Sequence, residues 1–154
     1  MIDVFGMIRA YVLADNAIAT AIGTRFYPIK VPQGTTALYP LMTMQRIDEI
    51  RATPLKGRAS LTRPRFQFDI WTKEGVGSAY KTCQQLGALL LARLEGANFS
   101  ALDTEFGSPG TPRLVSAEFI TSQDLFETDV SGGYFRYSAD YYIWHQTGHG
   151  GGTT

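Results

Sequence analysis

His145 and His149 stand four residues apart, a spacing that puts two imidazoles on one helix face and suits a zinc ion. Their surroundings argue otherwise. His145 closes a run of strand-like alternation and His149 lies in a Gly-rich tail, so both read as surface or tail side chains. Cys83 is the only cysteine. It can form no disulfide within the chain, which fits a reducing compartment during assembly. On an apolar stripe it packs rather than reacts, because burial raises a thiol pKa. Gly75-Val76-Gly77 precedes a helical stretch but lacks the third glycine or the Lys-Ser/Thr pair of a phosphate loop. It reads as a flexible strand-to-helix turn. A Ser-His-Asp triad has no core histidine to use. Asp48 and Glu49 are adjacent on a strand and so point to opposite faces. Asp69 and Asp140 each sit among apolar residues in good strands, on the face opposite the main apolar row. A solvated or interface-facing sheet surface accounts for them; a ligand-binding or catalytic role would need a concave pocket holding both. No enzymatic activity, cofactor or metal is expected.

The elements that would position these residues centre on Gly75–Glu95. Val76, Tyr80, Cys83, Leu86, Leu90 and Leu94 recur at helical spacing, and Lys81, Gln84, Gln85 and Arg93 occupy the opposite face. Ser78 is placed to cap the start and Gly96 the end. A second helix is predicted over Asp3–Ala14, with Phe5, Ile8 and Val12 inward. A short one follows over Ala17–Ile22, capped by Asp15 or Asn16 and ended by Gly23. Strands are predicted at Pro40–Arg51, Arg63–Lys73, Arg113–Asp129 and Tyr134–Gln146, with Arg25–Pro28 a brief extended piece and Ala97–Phe106 a short edge strand. The Arg113–Asp129 stretch reads as one strand or two joined by a kink. Ala52–Thr62 reads as a mobile hairpin loop and Gly107–Pro112 as a turn-rich break. Hairpin-length connections imply a largely antiparallel sheet with the helices gathered on one face, an α+β fold. Residues 1–146 read as one domain and 147–154 as a flexible Gly-rich tail.

The 154 residues carry 14 basic and 14 acidic side chains, for a formal charge of zero, which speaks against a protein built to grip phosphates. No signal peptide is visible, and no apolar run approaches the roughly 20 residues of a membrane span. The distribution of charge says more than its sum. Arg46, Arg51, Lys56, Arg58, Arg63 and Arg65 cluster around the first hairpin, and Glu95, Asp103, Glu105, Glu118, Asp124, Glu127 and Asp129 lie in the later third. Opposite charge at two places on a neutral chain suits head-to-tail contact between identical subunits, closing as a ring. The candidate interface residues are Arg46, Lys56, Arg58, Arg63, Arg65, Glu118, Asp124, Glu127 and Asp129; ordinary solvated faces would show the same charges.

Four stretches carry a resemblance. Ile8-Arg9-Ala10-Tyr11-Val12-Leu13-Ala14-Asp15, Gly23-Thr24-Arg25-Phe26-Tyr27-Pro28, Arg65-Phe66-Gln67-Phe68-Asp69-Ile70-Trp71 and Phe135-Arg136-Tyr137-Ser138-Ala139-Asp140-Tyr141-Tyr142-Ile143-Trp144 occur in this order. Together they resemble the tail completion, or tail terminator, proteins of long-tailed bacteriophages and prophages, also called head–tail joining proteins. The Gly107–Pro112 region and the Gly-rich tail depart from the family pattern. The resemblance implies a structural virion protein, made in the bacterial host cytoplasm. It would form a ring, of six subunits, at the head-proximal end of the tail tube. The implied partners are other copies of itself, the tail tube protein and the head connector or stopper, with DNA passing through unbound and no membrane involved. The free subunit would be a monomer. Another neck or minor tail component, such as a connector stopper, is one alternative; a small ligand-binding or enzymatic domain using the polar sheet face with Asp69, Asp140 and Trp71 is the other.

Overall fold

The computed structural model describes residues 4–32, 38–51, 61–75, 78–95, 114–129 and 132–146. Among these the order is α1 (Val4–Leu13), α2 (Asn16–Ile22), β1 (Phe26–Pro28), β2 (Leu41–Arg51), β3 (Leu61–Lys73), α3 (Ala79–Leu94), β4 (Leu114–Asp129) and β5 (Gly132–Gln146). The strands form one sheet in the order β1-β2-β3-β5-β4. Only β1–β2 is parallel; the other pairs are antiparallel. This is the α+β architecture expected from the alternation of apolar residues.

Alternation places Met42, Met44, Phe66, Phe68, Ile70, Tyr137, Ala139, Tyr141 and Ile143 on one face, where they meet Ile8, Tyr11, Val12, Ile18, Ile22, Cys83, Leu86, Leu90 and Leu94 from the helices. Aromatic edges run through this core in contact: Phe5–Phe26, Phe26–Phe68, Phe68–Tyr141 and Tyr141–Phe119, with ring centroids 5.5–6.2 Å apart. T-shaped pairs of this kind add to the burial energy because a ring's positive edge meets a negative face.

Several boundaries and environments differ from expectation. β3 begins at Leu61 rather than Arg63, and Thr62 is buried on the helix side. Tyr80 is 53% exposed. Its position on α3 is taken by Ala79, so the buried stripe is Ala79, Cys83, Leu86, Gly87, Leu90 and Leu94. Tyr80 instead turns its ring against Phe135. Ser78 stands at the N-cap position without a side-chain capping bond. The start of α3 is anchored from the sheet, where Thr72 Oγ1 donates to the Ala79 carbonyl over 2.9 Å. The expected Gly96 cap, the 97–106 strand, the 107–112 break, the loop between β2 and β3 at 52–60 and the 147–154 tail lie outside the described residues. β4 is one strand, with register shifts at Leu114/Ser116 and Phe119/Thr121.

Asp15 caps α2 as expected, accepting from the amides of Ala17 and Ile18. Gly23 ends it at φ +60°, a left-handed conformation that glycine adopts without penalty. The next residues knit the first edge together. Arg25 donates to the carbonyls of Ala21 and Pro40, and Arg9 donates to those of Thr24 and Phe26. The Gly-Thr-Arg-Phe-Tyr-Pro stretch is therefore a helix stop, an arginine clasp and a core phenylalanine in six residues. At the far end of the helix layer, Arg93 donates through Nε and Nη2 to the Tyr11 carbonyl, Tyr11 Oη donates to the Arg93 carbonyl, and the guanidinium lies 3.8 Å from the Tyr11 ring centre.

Gly87 is buried where α3 packs on the Tyr137 ring. A β-carbon there would lie 2.8 Å from the Tyr137 ring, well inside contact distance. Gly87→Val should lower stability by about 1–3 kcal/mol through overpacking, read as a lower denaturation midpoint with an unchanged slope. Gly87→Ala should fall less, since roughly 1 kcal/mol of gained helix propensity offsets part of the clash. A Val variant as stable as the parent would show that α3 can lift off Tyr137 freely.

Candidate assembly surface

The second face of the sheet carries no helix among the described residues, and its side chains answer one another. Odd-numbered residues of β3 point to this side, together with the even-numbered residues of β5. In register across β5, Tyr142 lies between Arg65 and Glu118, Asp140 between Gln67 and Thr121, Ser138 between Asp69 and Gln123, and Arg136 between Trp71 and Leu125. The charges then pair diagonally, one step along the neighbouring strand. Arg65 reaches Asp140 at 2.5 Å. Arg136 reaches Asp69 at 3.1 Å and Glu127 at 2.9 Å. Arg136 also lies 5.1 Å from the Trp71 ring centre. Arg63 lies over Tyr142 at 4.2 Å and Trp144 at 5.4 Å, a cation against two aromatic faces. The hydrogen bond to Asp140 holds the Arg65 guanidinium above its ordinary pKa.

Asp69 and Asp140 are thus on the face expected for them, but neither is simply solvated. Asp69 is 8% exposed, held by Arg136 and by Gln67 Nε2. A cavity of about 410 Å³ opens on this face between residues 29–31, Tyr39 and the floor formed by Thr43, Gln67, Asp69 and Trp71. It contains Asp69 but not Asp140, so the two carboxylates do not converge. The same cover explains β2, where Leu41 and Thr43 are buried on one side and Met42 and Met44 on the other.

The remaining reactive residues are structural. His145 is not a surface histidine: it is 4% exposed and its Nε2 is 2.9 Å from Thr62 Oγ1. Its odd number continues the inward row of Tyr141 and Ile143, a parity the sequence displayed. Cys83 donates to the Ile70 carbonyl at 3.3 Å, and burial pushes its thiol up to about 11, far from a reactive thiolate. No group of three or more metal-ligating side chains occurs among the described residues, and no described helix is long and apolar enough to cross a membrane.

The candidate interface residues fall at different places. Arg46 is exposed on β2, and Glu118 is exposed on the open face of β4. Arg63 and Arg65 are on the open face with the partners just given. Asp124 faces α3 and accepts from Gln84, Glu127 accepts from Arg136, and Asp129 ends β4. Lys56 and Arg58 lie outside the described residues.

A family model for the tail completion protein gp17 matches residues 6–146. The chain belongs to the tail completion protein family. It is accordingly a structural tail protein. Among solved structures, a chain from the virion of a native gene transfer agent particle is similar in fold. The TM-score is 0.63 at 21% identity, covering 94% of this chain and 98% of that one. No curated protein matches the chain by sequence. In this tail completion protein the family stretches map onto α1, the turn into β1, β3 and β5. They supply most of α1, the first sheet edge and much of β3 and β5, including Arg65, Asp69, Arg136 and Asp140 of the charged face.

Proposed function

We propose that this tail completion protein forms a ring of six copies at the head-proximal end of the tail tube, where it ends tube growth and presents the surface that docks to the head connector. The observation that carries this is the family match across every described element beyond the first turn of α1. The fold supports it, since its likeness to a chain of an assembled virion particle extends over nearly the whole of both. A formal charge of zero suits a channel through which DNA must slide without being held. Subunits join through basic residues near the first hairpin, Arg46, Lys56 and Arg58 among them, and acidic residues of the β4 side such as Glu118. Exposed pairs contribute about 0–1 kcal/mol each and are screened by salt, so they set register around the ring more than they hold it.

Two measurements test this. In particles made without the protein, filled heads and tails of uncontrolled length should accumulate separately. Electron microscopy of the parent should place six copies at the head-proximal tail end. Joined particles of normal tail length in its absence would overturn the proposed role. Within the role, Arg46→Glu with Arg58→Glu should keep the melting transition and reduce joined particles. Completion at the parent level would move the interface elsewhere.

A further inference from the structure

The sheet has two edges of unequal kinds, and both are open among the described residues. On one side β1 pairs with Met42–Met44 alone, so residues 45–51 of β2, which pair with β3 through one register shift between Arg46 and Asp48, have no described strand on their outer side. On the other side β4 runs 16 residues as the outermost strand. Both its register shifts fall before Thr121, and from Thr121 to Asp129 its pairing with β5 is unbroken. A long, regular edge is a template for a further strand. The β4 edge carries Asp124 and Glu127, with no basic residue from Thr121 to Thr128. Two β4 edges would set like charges side by side, which disfavours pairing. The β2 edge offers the exposed Arg46. Each edge also exposes one large apolar residue, Ile47 at 44% and Phe126 at 49%, and aromatic and β-branched residues pair well across strands.

We infer that the uncovered edge of β2 in one copy pairs with β4 of the next copy, extending the sheet from subunit to subunit. This rests on the ring proposed above and names the surface that closes it. The direction follows from the topology. β2 and β5 run one way, and β3 and β4 the other. Copies related by rotation about an axis along the strands would therefore bring β2 beside β4 antiparallel. Such a contact joins unlike surfaces, as a closing ring requires.

The test is disulfide trapping in joined particles. Cys83 is buried, so the parent should give no crosslink. Chains carrying Ile47→Cys together with a cysteine at Thr121, Gln123 or Thr128 in turn should, for at least one pair, give a ladder of covalent multimers on oxidation. The single-cysteine chains should give none. Dimers from a β4 cysteine alone would show edge-to-like-edge pairing and overturn the inference. Bonds only to another tail protein would do the same, as would no ladder in particles whose microscopy shows the ring. If microscopy shows no ring of this chain, the proposed function fails first and the edge pairing falls with it.

Discussion

Phe68→Ala should destabilise this protein by roughly 3–5 kcal/mol, the range for losing a buried aromatic ring and leaving a cavity. Phe68 lies on β3, in the middle of the sheet, fully buried. Its ring meets Phe26 on one side at 6.2 Å and Tyr141 on the other at 5.5 Å, both edge-on. The substitution therefore removes the ring's own burial and two aromatic contacts, each worth about 0.5–1.5 kcal/mol beyond area. Neighbours cannot easily fill the space, because Phe26, Met44, Ala139 and Tyr141 belong to three different strands held in register. A domain with about 5–15 kcal/mol of stability would fold marginally or not at all. Denaturant unfolding of the purified chain checks this. A loss below about 1 kcal/mol would mean that the helix layer collapses onto β3 without strain.

Leu90→Ala is the second large effect, about 2–5 kcal/mol. Leu90 is fully buried at the middle of the α3 stripe, with Leu86 before it and Leu94 after it. Alanine favours the helix slightly, so the whole loss comes from contact with the sheet and with α1 and α2. The midpoint in denaturant should fall while the helical signal of the folded protein stays the same. A change below about 0.5 kcal/mol would mean that α3 buries another face.

The sheet, its helix-covered side and the long helix were legible because their periods are simple. Alternation in Phe66-Gln67-Phe68-Asp69-Ile70 and a three-to-four recurrence in Cys83, Leu86, Leu90 and Leu94 each allow one buried face. Tyr80 was misplaced because helical spacing tolerates a shift of one residue at a helix end, and small Ala79 fits the close approach there. His145 was misread because its type suggested a surface, while its parity with Tyr141 and Ile143 pointed inward. The charged face was half legible. That Asp69 and Asp140 point away from the core follows from alternation. That they meet Arg136 and Arg65 does not, because those pairs are 67 and 75 residues apart and depend on strand order and register. The sequence showed blocks of like charge where the structure shows opposite charges as neighbours. Arg65 and Glu127 belonged to opposite blocks, and each finds a counter-ion within its own chain.

The Arg93–Tyr11 clasp has a consequence for how the chain comes off the ribosome. It satisfies a last-turn carbonyl of α1, a group that a helix cannot satisfy by itself, with a side chain from 82 residues later. Closing a loop of that length costs about 4 kcal/mol in the length-dependent part of chain entropy alone. The end of α1 is thus sealed by the last turn of α3, which is made later. Until that turn emerges, Ile8 and Val12 of α1 lack the cover that α3 gives them in the folded core. Once Arg93 locks, the end of α1 and the last turn of α3 are committed together.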